Sequence, residues 1–436
     1  MKSSFRVVFN TLSQLTSRGL VILASLVTTA LLTRLLGSSG YGDYIFITSF
    51  ILIFVSLSDL GLTIIGVREA SLNKGEIGKV FGNILILRLL LTIVLFFLFN
   101  LAAFILPQFA GLRIPTFVAS FVIFFLTLRT ISQGILQANL RLDLASILEV
   151  FASLVFLVFL GIFLFLEKTV SLNLLMGFWS ISALFSSLLG LLIAFRYQPI
   201  HLSFRHEEAW RLFKEALPLG VYLLVFSVYD RGIDSFILKT YYPSSVVGYY
   251  GLAYKIHGNL VLGAAFLMNS LFPLLASLKN NAEKLRKIYE KAFTVLLLGG
   301  CLIFGGGLVF APWVINIIAG SGFSPSVLAM RLLLGATFFS YLNHLTGFLL
   351  VALGKQKELL GFSLIAFVTN LLLNLIFVPR FSFPAAAIIT ILTEATIFLF
   401  TQNFLTREFG LKYTLLSLRE NWRELLSERQ HYFESL

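Results

Sequence analysis

The sequence has one cysteine, Cys301, in 436 residues. That excludes an intramolecular disulfide, and a lone thiol in an apolar stretch reads as a packing residue. Charge is scarce as well: 12% of residues are Asp, Glu, Lys or Arg, where a soluble domain carries about 25%. No G-x-x-x-x-G-K-[ST] loop occurs. The nearest string, GKQKE at 354–358, lacks the preceding glycine and the hydroxyl, so ATP hydrolysis by this chain is not expected. No Cys/His cluster has metal-ligand spacing. His257 and His344 stand singly on different segments and read as interior histidines. After Lys2 and Arg6 there is no short apolar core with a small-residue cleavage site, so the first segment is expected to stay as a helix.

What is abundant is apolar surface: 58% of residues are hydrophobic and 15% aromatic. A bilayer crossing needs about 20 apolar residues. Such stretches run over 11–36, 43–67, 80–106, 114–138, 144–166, 170–195, 214–240, 248–277, 289–312, 325–353, 358–378 and 382–406. Polar residues dilute the first and the seventh. The fold class expected is therefore an all-α integral membrane protein with about 12 transmembrane helices.

Basic residues outside the stretches are uneven. The two ends and the connections 68–79, 139–143, 196–214, 279–291 and 354–358 hold nearly all of them, while the alternate connections hold only Arg113, Lys168, Lys239 and Arg380. The positive-inside rule then places both termini in the cytoplasm, in a multi-pass protein of the cytoplasmic (inner) membrane. The net charge of +12 reads as topology plus attraction to the anionic leaflet, and dispersal over loops argues against nucleic-acid binding. Beyond residue 406, Leu411, Leu415, Leu418, Trp422, Leu425 and Tyr432 recur at helical intervals. An amphipathic helix on the inner membrane surface is expected over 407–436.

A short phrase is written twice. LLGSSGYGDY at 35–44 and YYPSSVVGYY at 241–250 share Ser38-Ser39 with Ser244-Ser245, Gly42 with Gly248 and Tyr44 with Tyr250, all at an offset of 206. With an even number of crossings per half, the halves enter the membrane in the same sense, as in transporters built from parallel repeats. The expected organisation is two six-helix bundles around a central cleft: an N-terminal bundle over 1–197, a cytoplasmic linker over 198–213, and a C-terminal bundle over 214–406. Segments one and seven should line the cleft. Segment one carries Asn10, Gln14, Ser17, Arg18, Ser25, Thr28 and Thr29, and segment seven carries Tyr222, Ser227, Tyr229, Asp230, Arg231 and Asp234. A polar stripe of this kind must face protein or water.

Within the segments lie Arg18, Arg34, Arg88, Arg129, Arg231, Lys255 and Arg331. Each costs about 2.5–3.5 kcal/mol at the bilayer centre unless it escapes or pairs. Arg34 and Arg331, near segment ends, are expected to reach the headgroups, and Arg88 to do so on the inner side. Arg18, Arg129, Arg231 and Lys255 are deeper. Arg231 can pair with Asp230 or Asp234, and Arg129 with Glu149. The alternative is a cationic cleft for an anionic headgroup, which the planar arginine fork suits. Arg18 and Lys255 have no local acid and are the better candidates. The acids Asp59, Asp230, Asp234 and Glu394 are read either as sites coupled to a Na+ or H+ gradient or as ion-pair partners. No other cofactor is indicated.

LTRLLGSSGYGDYIFITSFILIFVSLSDLGL (32–62), VREASLNKGEIGKVFGNILILRLLL (67–91) and DSFILKTYYPSSVVGYYGLAYKI (234–256) together resemble the oligosaccharide and polysaccharide flippases. These form the Wzx-like branch of the multidrug/oligosaccharidyl-lipid/polysaccharide exporter superfamily. The resemblance implies a transporter rather than an enzyme. It would move a lipid-linked oligosaccharide, carried on undecaprenyl or dolichyl pyrophosphate, from the inner to the outer leaflet by alternating access. It implies Asp234 as the acid of segment seven and Arg18 and Lys255 as cleft cations. Arg231 beside Asp230 has no place in the family pattern. The implied partners are the lipid-linked oligosaccharide, membrane lipids and glycan-assembly proteins. The competing readings are a multidrug cation/ion antiporter of the same superfamily, a peptidoglycan lipid flippase, and a membrane glycan polymerase. Short outer connections speak against the last.

Overall fold

The computed structural model describes residues 2–72, 74–166, 170–199, 204–231, 233–279 and 281–413. The tail helix expected beyond residue 413 lies outside them. Among the described residues every regular element is helical. The helices are α1 (Lys2–Asp59), α2 (Leu62–Leu72), α3 (Ile77–Ile105), α4 (Arg113–Ala138), α5 (Leu142–Phe165), α6 (Leu172–Tyr197), α7 (His206–Arg231), α8 (Ile233–Tyr241), α9 (Ser244–Ser277), α10 (Ala282–Ala319), α11 (Ser326–Ala352) and α12 (Gln356–Phe409).

Nine helices among the described residues are long and apolar enough to cross a membrane. Two of them account for two expected crossings each. At 1.5 Å per residue the 58 residues of α1 would reach about 87 Å, far beyond an apolar core of about 30 Å. The helix is broken at Gly37 (φ 63, ψ −176), a conformation that glycine adopts cheaply. The 54-residue α12 is broken in the same way at Ser382 (φ 57, ψ −152), between Pro379 and Pro384. The expected polar turns are thus single-residue reversals inside continuous helices. The diluted seventh segment is divided between α7 and α8, with Pro218 inside α7. The chain is an all-α, multi-pass membrane protein. Large apolar side chains such as Phe97, Phe104, Leu302 and Ile317 are 63–76% exposed, as lipid-facing surfaces require.

Two compact units are formed: residues 1–248 with 317–322, and residues 249–316 with 323–436. In the first, α6 packs closely on α4 and α5 through small polar residues. Ser180 donates to the Val118 carbonyl and Ser186 to that of Leu148, both at 2.8 Å. A Cβ on Gly190 would meet Ser132 at 3.1 Å. Small residues let helices approach where lipid offers no hydrophobic drive between them. In the second unit, Met268, Tyr289, Phe293, Tyr341, Leu345 and Leu349 are core residues. After α12 the chain turns at Gly410 (φ 64), buries Leu411, and stacks Tyr413 on Phe293 at 4.0 Å.

The two copies of the repeated phrase touch each other inside the first unit. A Cβ on Gly42 would lie 1.7 Å from the Ser244 carbonyl oxygen, and one on Gly248 would lie 2.2 Å from that of Ser38. Ser38 and Ser244, like Gly42 and Gly248, are equivalent positions at the offset of 206. The contact is therefore reciprocal: each phrase presses its glycine on the other's serine, as across a local two-fold axis. Glycine is required at both positions because backbone meets backbone. Asp43 and Lys239 seal the crossing at 2.6 Å, with Ser244 donating to the same carboxylate oxygen at 2.6 Å.

Arg34 and Arg331, near segment ends, are both exposed; Arg34 donates to the Ile317 carbonyl at 2.7 Å and Arg331 to that of Leu308 at 3.1 Å. Arg88, expected to reach the inner headgroups, is instead 0% exposed. Its partners explain why.

Candidate functional site: an ion pair of a buried arginine beside a cavity

The sequence Asp59-Leu60-Gly61-Leu62 ends α1 and starts α2. Leu60 (φ 41) and Gly61 (φ 77) both turn left-handed, which breaks the helix without a loop. Gly61 is also needed for approach: its Cβ would lie 3.1 Å from the Gly220 nitrogen and 3.2 Å from the Ala216 carbonyl oxygen of α7. The Asp59 carboxylate caps the new helix, accepting from the Thr63 backbone N–H at 3.3 Å and from the Thr63 hydroxyl. An acid at that place answers the unpaired N–H groups and the positive end of the α2 dipole.

Arg88, on α3, completes the arrangement. Its Nη1 lies 2.9 Å from Asp59 Oδ1 and donates to Thr63 Oγ1 at 2.8 Å, and its Nε donates to the Ser58 carbonyl at 3.2 Å. A second row of hydroxyls supports it: Ser58 meets Thr127 at 3.1 Å and Thr92 meets Thr127 at 3.2 Å. A buried guanidinium in hydrocarbon surroundings needs such partners. One nitrogen is left over. Nη2 of Arg88 is buried and finds no acceptor in the protein.

The pair borders a cavity of about 290 Å³ lined by Val55, Ser56, Asp59, Gly61, Arg88, Thr130, Leu223 and Ser227. Ser56 and Ser227 bond across it at 2.8 Å, joining α1 to α7. Ser56 also donates to the Leu52 carbonyl at 3.0 Å, so the bond between the two serines is donated by Ser227. Thr130 spends its proton on the Leu126 carbonyl at 2.9 Å. The wall therefore offers hydroxyl acceptors, one carboxylate and one guanidinium with unused donors. It can hold water, a hydroxyl-rich group or an anion.

Of the residues singled out in the sequence, Asp59 is held in this pair. Arg18, Asp230 and Arg231 fall on α1 and α7, and their side chains lie outside the described residues. Arg129, on α4, is half-buried, and its Nε finds no acceptor in the protein. One turn on, Gln133 donates to Glu149 of α5 at 3.3 Å. Asp234 is buried on α8 in the first unit. Lys255 is exposed on α9 in the second unit. Glu394, on α12, accepts from Asn343 of α11 at 2.7 Å. Sequence reasoning missed Arg88 as a site residue, along with Ser56, Thr63 and Thr130. The capping aspartate before a Leu-Gly reversal was the available signal, but nothing local pointed to an arginine 29 positions later.

These features define a class: a polytopic helical membrane protein with an ion pair at the edge of a cavity between its helices. The chain belongs to the polysaccharide biosynthesis protein family, whose model matches residues 7–279. Over 183 residues it is 25% identical to a Haloferax volcanii protein named probable low-salt glycan biosynthesis flippase Agl15. That match spans 42% of this chain and only 39% of the relative's length. The fold of this chain is similar to that of the lipid II flippase MurJ in an inward closed conformation, with a TM-score of 0.78 at 14% identity over 98% of this chain and 93% of the other. An inward-facing multidrug resistance MATE family transporter of the MOP superfamily follows, with a TM-score of 0.69 at 15% identity over 91% and 98%. At such identities these likenesses concern the fold alone. All three are named as flippases or transporters, none as an enzyme.

Proposed function

We propose that this protein is a flippase carrying a polyprenyl-pyrophosphate-linked oligosaccharide across the cytoplasmic membrane, for the building of cell-surface polysaccharide. The observation that carries the reading is a guanidinium with unused donors, buried in the spanning region of a chain of the polysaccharide biosynthesis family. Arginine matches phosphate oxygens with its planar fork, and a polar, cation-bearing path lowers the cost of moving a charged headgroup through hydrocarbon. The relative named a glycan biosynthesis flippase supports the same substrate class.

In this reading both termini are cytoplasmic and the repeats 1–197 and 214–406 rock about the substrate by alternating access. Arg18, Lys255, Arg231 and Arg129 attract the headgroup, and Asp234, Asp230 and Glu394 serve either as ion pairs or as sites coupled to a Na+ or H+ gradient. Membrane lipids bound the polyprenyl tail, and glycan-assembly proteins supply and receive the substrate. The test is leaflet-resolved detection of lipid-linked oligosaccharide in cells lacking the protein. Accumulation on the inner leaflet is expected. An unchanged leaflet distribution together with drug sensitivity would replace this reading with the multidrug antiporter, and accumulation of the peptidoglycan precursor alone would replace it with the peptidoglycan flippase.

A further inference from the structure

The second unit holds two histidines that the flippase reading does not use. His257, on α9, is 7% exposed, and His344, on α11, is half-buried. Their hydrogen bonds assign the ring proton. His344 Nδ1 lies 2.7 Å from the Ser340 carbonyl, which can only accept, so Nδ1 donates. His257 Nδ1 lies 2.8 Å from Thr337 Oγ1. Thr337 gives its own proton to the Leu333 carbonyl at 3.0 Å, so here too Nδ1 donates. A neutral imidazole that donates from Nδ1 is an acceptor at Nε2. Neither Nε2 meets a donor among the described residues. The two rings share one seam. Thr337, Tyr341, His344 and Phe348 recur at helical spacing on α11, and this face meets α9. Thr337 meets His257, the Tyr341 hydroxyl donates to the Leu260 carbonyl at 2.9 Å, and the Phe348 ring lies 5.9 Å from that of Phe272. His344 is near enough to act on the charge of His257. A third acceptor, beside His344 in the chain, is also unserved: Asn343 spends Nδ2 on Glu394, and its Oδ1 is buried without a donor.

The seam is therefore rich in acceptors and short of donors, which decides what it can bind. An oxyanion would add acceptors to a place that lacks donors. A metal ion would need further ligands, and among the described residues no group of three His, Cys, Asp or Glu is placed to hold one. Hydroxyl groups are neutral donors and fit. Ring faces flank both imidazoles: Phe348 stacks on His344 with centres 6.3 Å apart, and Tyr254 lies 5.3 Å from His257. A few placed polar atoms among aromatic surfaces is the make-up of a small-molecule site. We infer that the α9–α11 seam is a hydroxyl-recognising subsite, in which Nε2 of His257 and Nε2 of His344 accept hydrogen bonds from the sugars of the cargo. The inference rests on the flippase reading and deepens it: the headgroup is left to the cationic side chains, and the glycan is read by neutral imidazoles. A site built to accept from hydroxyls rejects a ligand without them, because its polar atoms then stay unpaired.

The experiment uses the full chain in lipid nanodiscs and two probes: the polyprenyl-pyrophosphate oligosaccharide extracted from cells lacking the protein, and the same polyprenyl pyrophosphate without sugars. Wild-type protein is expected to bind the first more tightly. His257→Asn and His344→Asn place an amide N–H where Nδ1–H stood and leave nothing at Nε2, so the bonds to Thr337 and Ser340 persist while both acceptors go. The Asn double variant is expected to melt close to wild type. It should lose about tenfold in affinity for the sugar-bearing lipid, the scale of two neutral hydrogen bonds, with affinity for the bare lipid unchanged. His257→Gln and His344→Gln do the reverse, keeping an amide oxygen near Nε2 and giving up the Nδ1 bonds. That double variant is expected to melt lower and still prefer the sugar-bearing lipid. Equal loss for both lipids in the Asn double variant would make the histidines structural and overturn the inference, as would a preference kept by Asn and lost by Gln. A wild type that binds both lipids equally also overturns it, and leaves the flippase reading to the leaflet assay. A preference that depends on the two histidines, with no inner-leaflet accumulation in cells, leaves the sugar subsite standing without the flippase reading.

Discussion

Asp43 and Asp59 lie in the same helix, and each holds a cation from another helix, but the two pairs are built for different ends. Asp43 meets Lys239 at 2.6 Å beside the crossing of the twin phrases, and Ser244 fills the remaining place on the same oxygen. Lys239 also sits 5.8 Å from the Phe46 ring centre. The side chains of both ions are partly exposed, at 14% and 19%. Asp59 meets Arg88 at 2.9 Å, with Arg88 fully buried, and an unused nitrogen remains at the edge of a cavity. The first pair is complete and closes a backbone-to-backbone contact. The second is incomplete on the side where a ligand can enter. Completeness, more than charge or depth, separates a structural pair from a candidate site.

The largest effect should come from breaking the second pair on one side only. Arg88→Gln leaves a carboxylate without its counter-ion, and breaking a buried pair costs about 3–5 kcal/mol. Asp59 is 24% exposed, so the loss should fall toward the lower figure. It is read as a drop in thermal midpoint by size-exclusion fluorescence, with part of it recovered in the Asp59→Asn/Arg88→Gln double variant. If the single and double variants melt alike, the ion pair is not what Arg88 contributes.

Next in size is the twin crossing. Gly42→Ala or Gly248→Ala forces backbone apart and should cost about 1–3 kcal/mol each. Both substitutions act on one contact, so together they should cost less than their sum. Full additivity in a double-mutant cycle would mean that the crossing is not a single reciprocal unit.

Lys239→Met removes the cation of a pair that is only 14% and 19% exposed. It should cost about 1–3 kcal/mol, less than Arg88→Gln because Ser244 still donates to Asp43, and its thermal midpoint should lie above that of Arg88→Gln. Smallest of all, Thr130→Val should leave stability, read as the thermal midpoint, within about 0.5 kcal/mol of wild type. A large melting change there would make Thr130 a packing residue.

Hydropathy made the crossings legible because the bilayer imposes one length on every spanning element. It could not show that segments one and two form one broken helix, since a single left-handed Gly37 replaces the turn residues a reader looks for. The offset of 206 in the repeated phrase showed that Gly42 and Gly248 are equivalent. That they touch is a property of the fold, because equivalence under a repeat does not require contact. The candidate site was half legible. Asp59 stood out as an acid within a segment, and Thr63, four residues on, is a local neighbour that sequence can supply. Arg88 belongs to another helix, and its depth in the segment suited escape to the headgroups as well as burial. Packing of α3 against the α1–α2 break decides between them, and no local pattern encodes that choice. Arg129 was read with Glu149 or the headgroup as its partner. Its Nε meets no protein acceptor, Glu149 is near enough to act on its charge, and Gln133 donates to Glu149.

The central claim, movement of a pyrophosphate-linked glycan between leaflets, is tested most directly in sealed vesicles holding the purified protein and a fluorescent polyprenyl-pyrophosphate oligosaccharide. A membrane-impermeant quencher then reports the fraction facing outward. The account predicts that quenching proceeds past the outer-leaflet fraction with wild-type protein and stops there with Asp59→Asn/Arg88→Gln. Quenching that stops at the outer-leaflet fraction with correctly folded wild-type protein would contradict it.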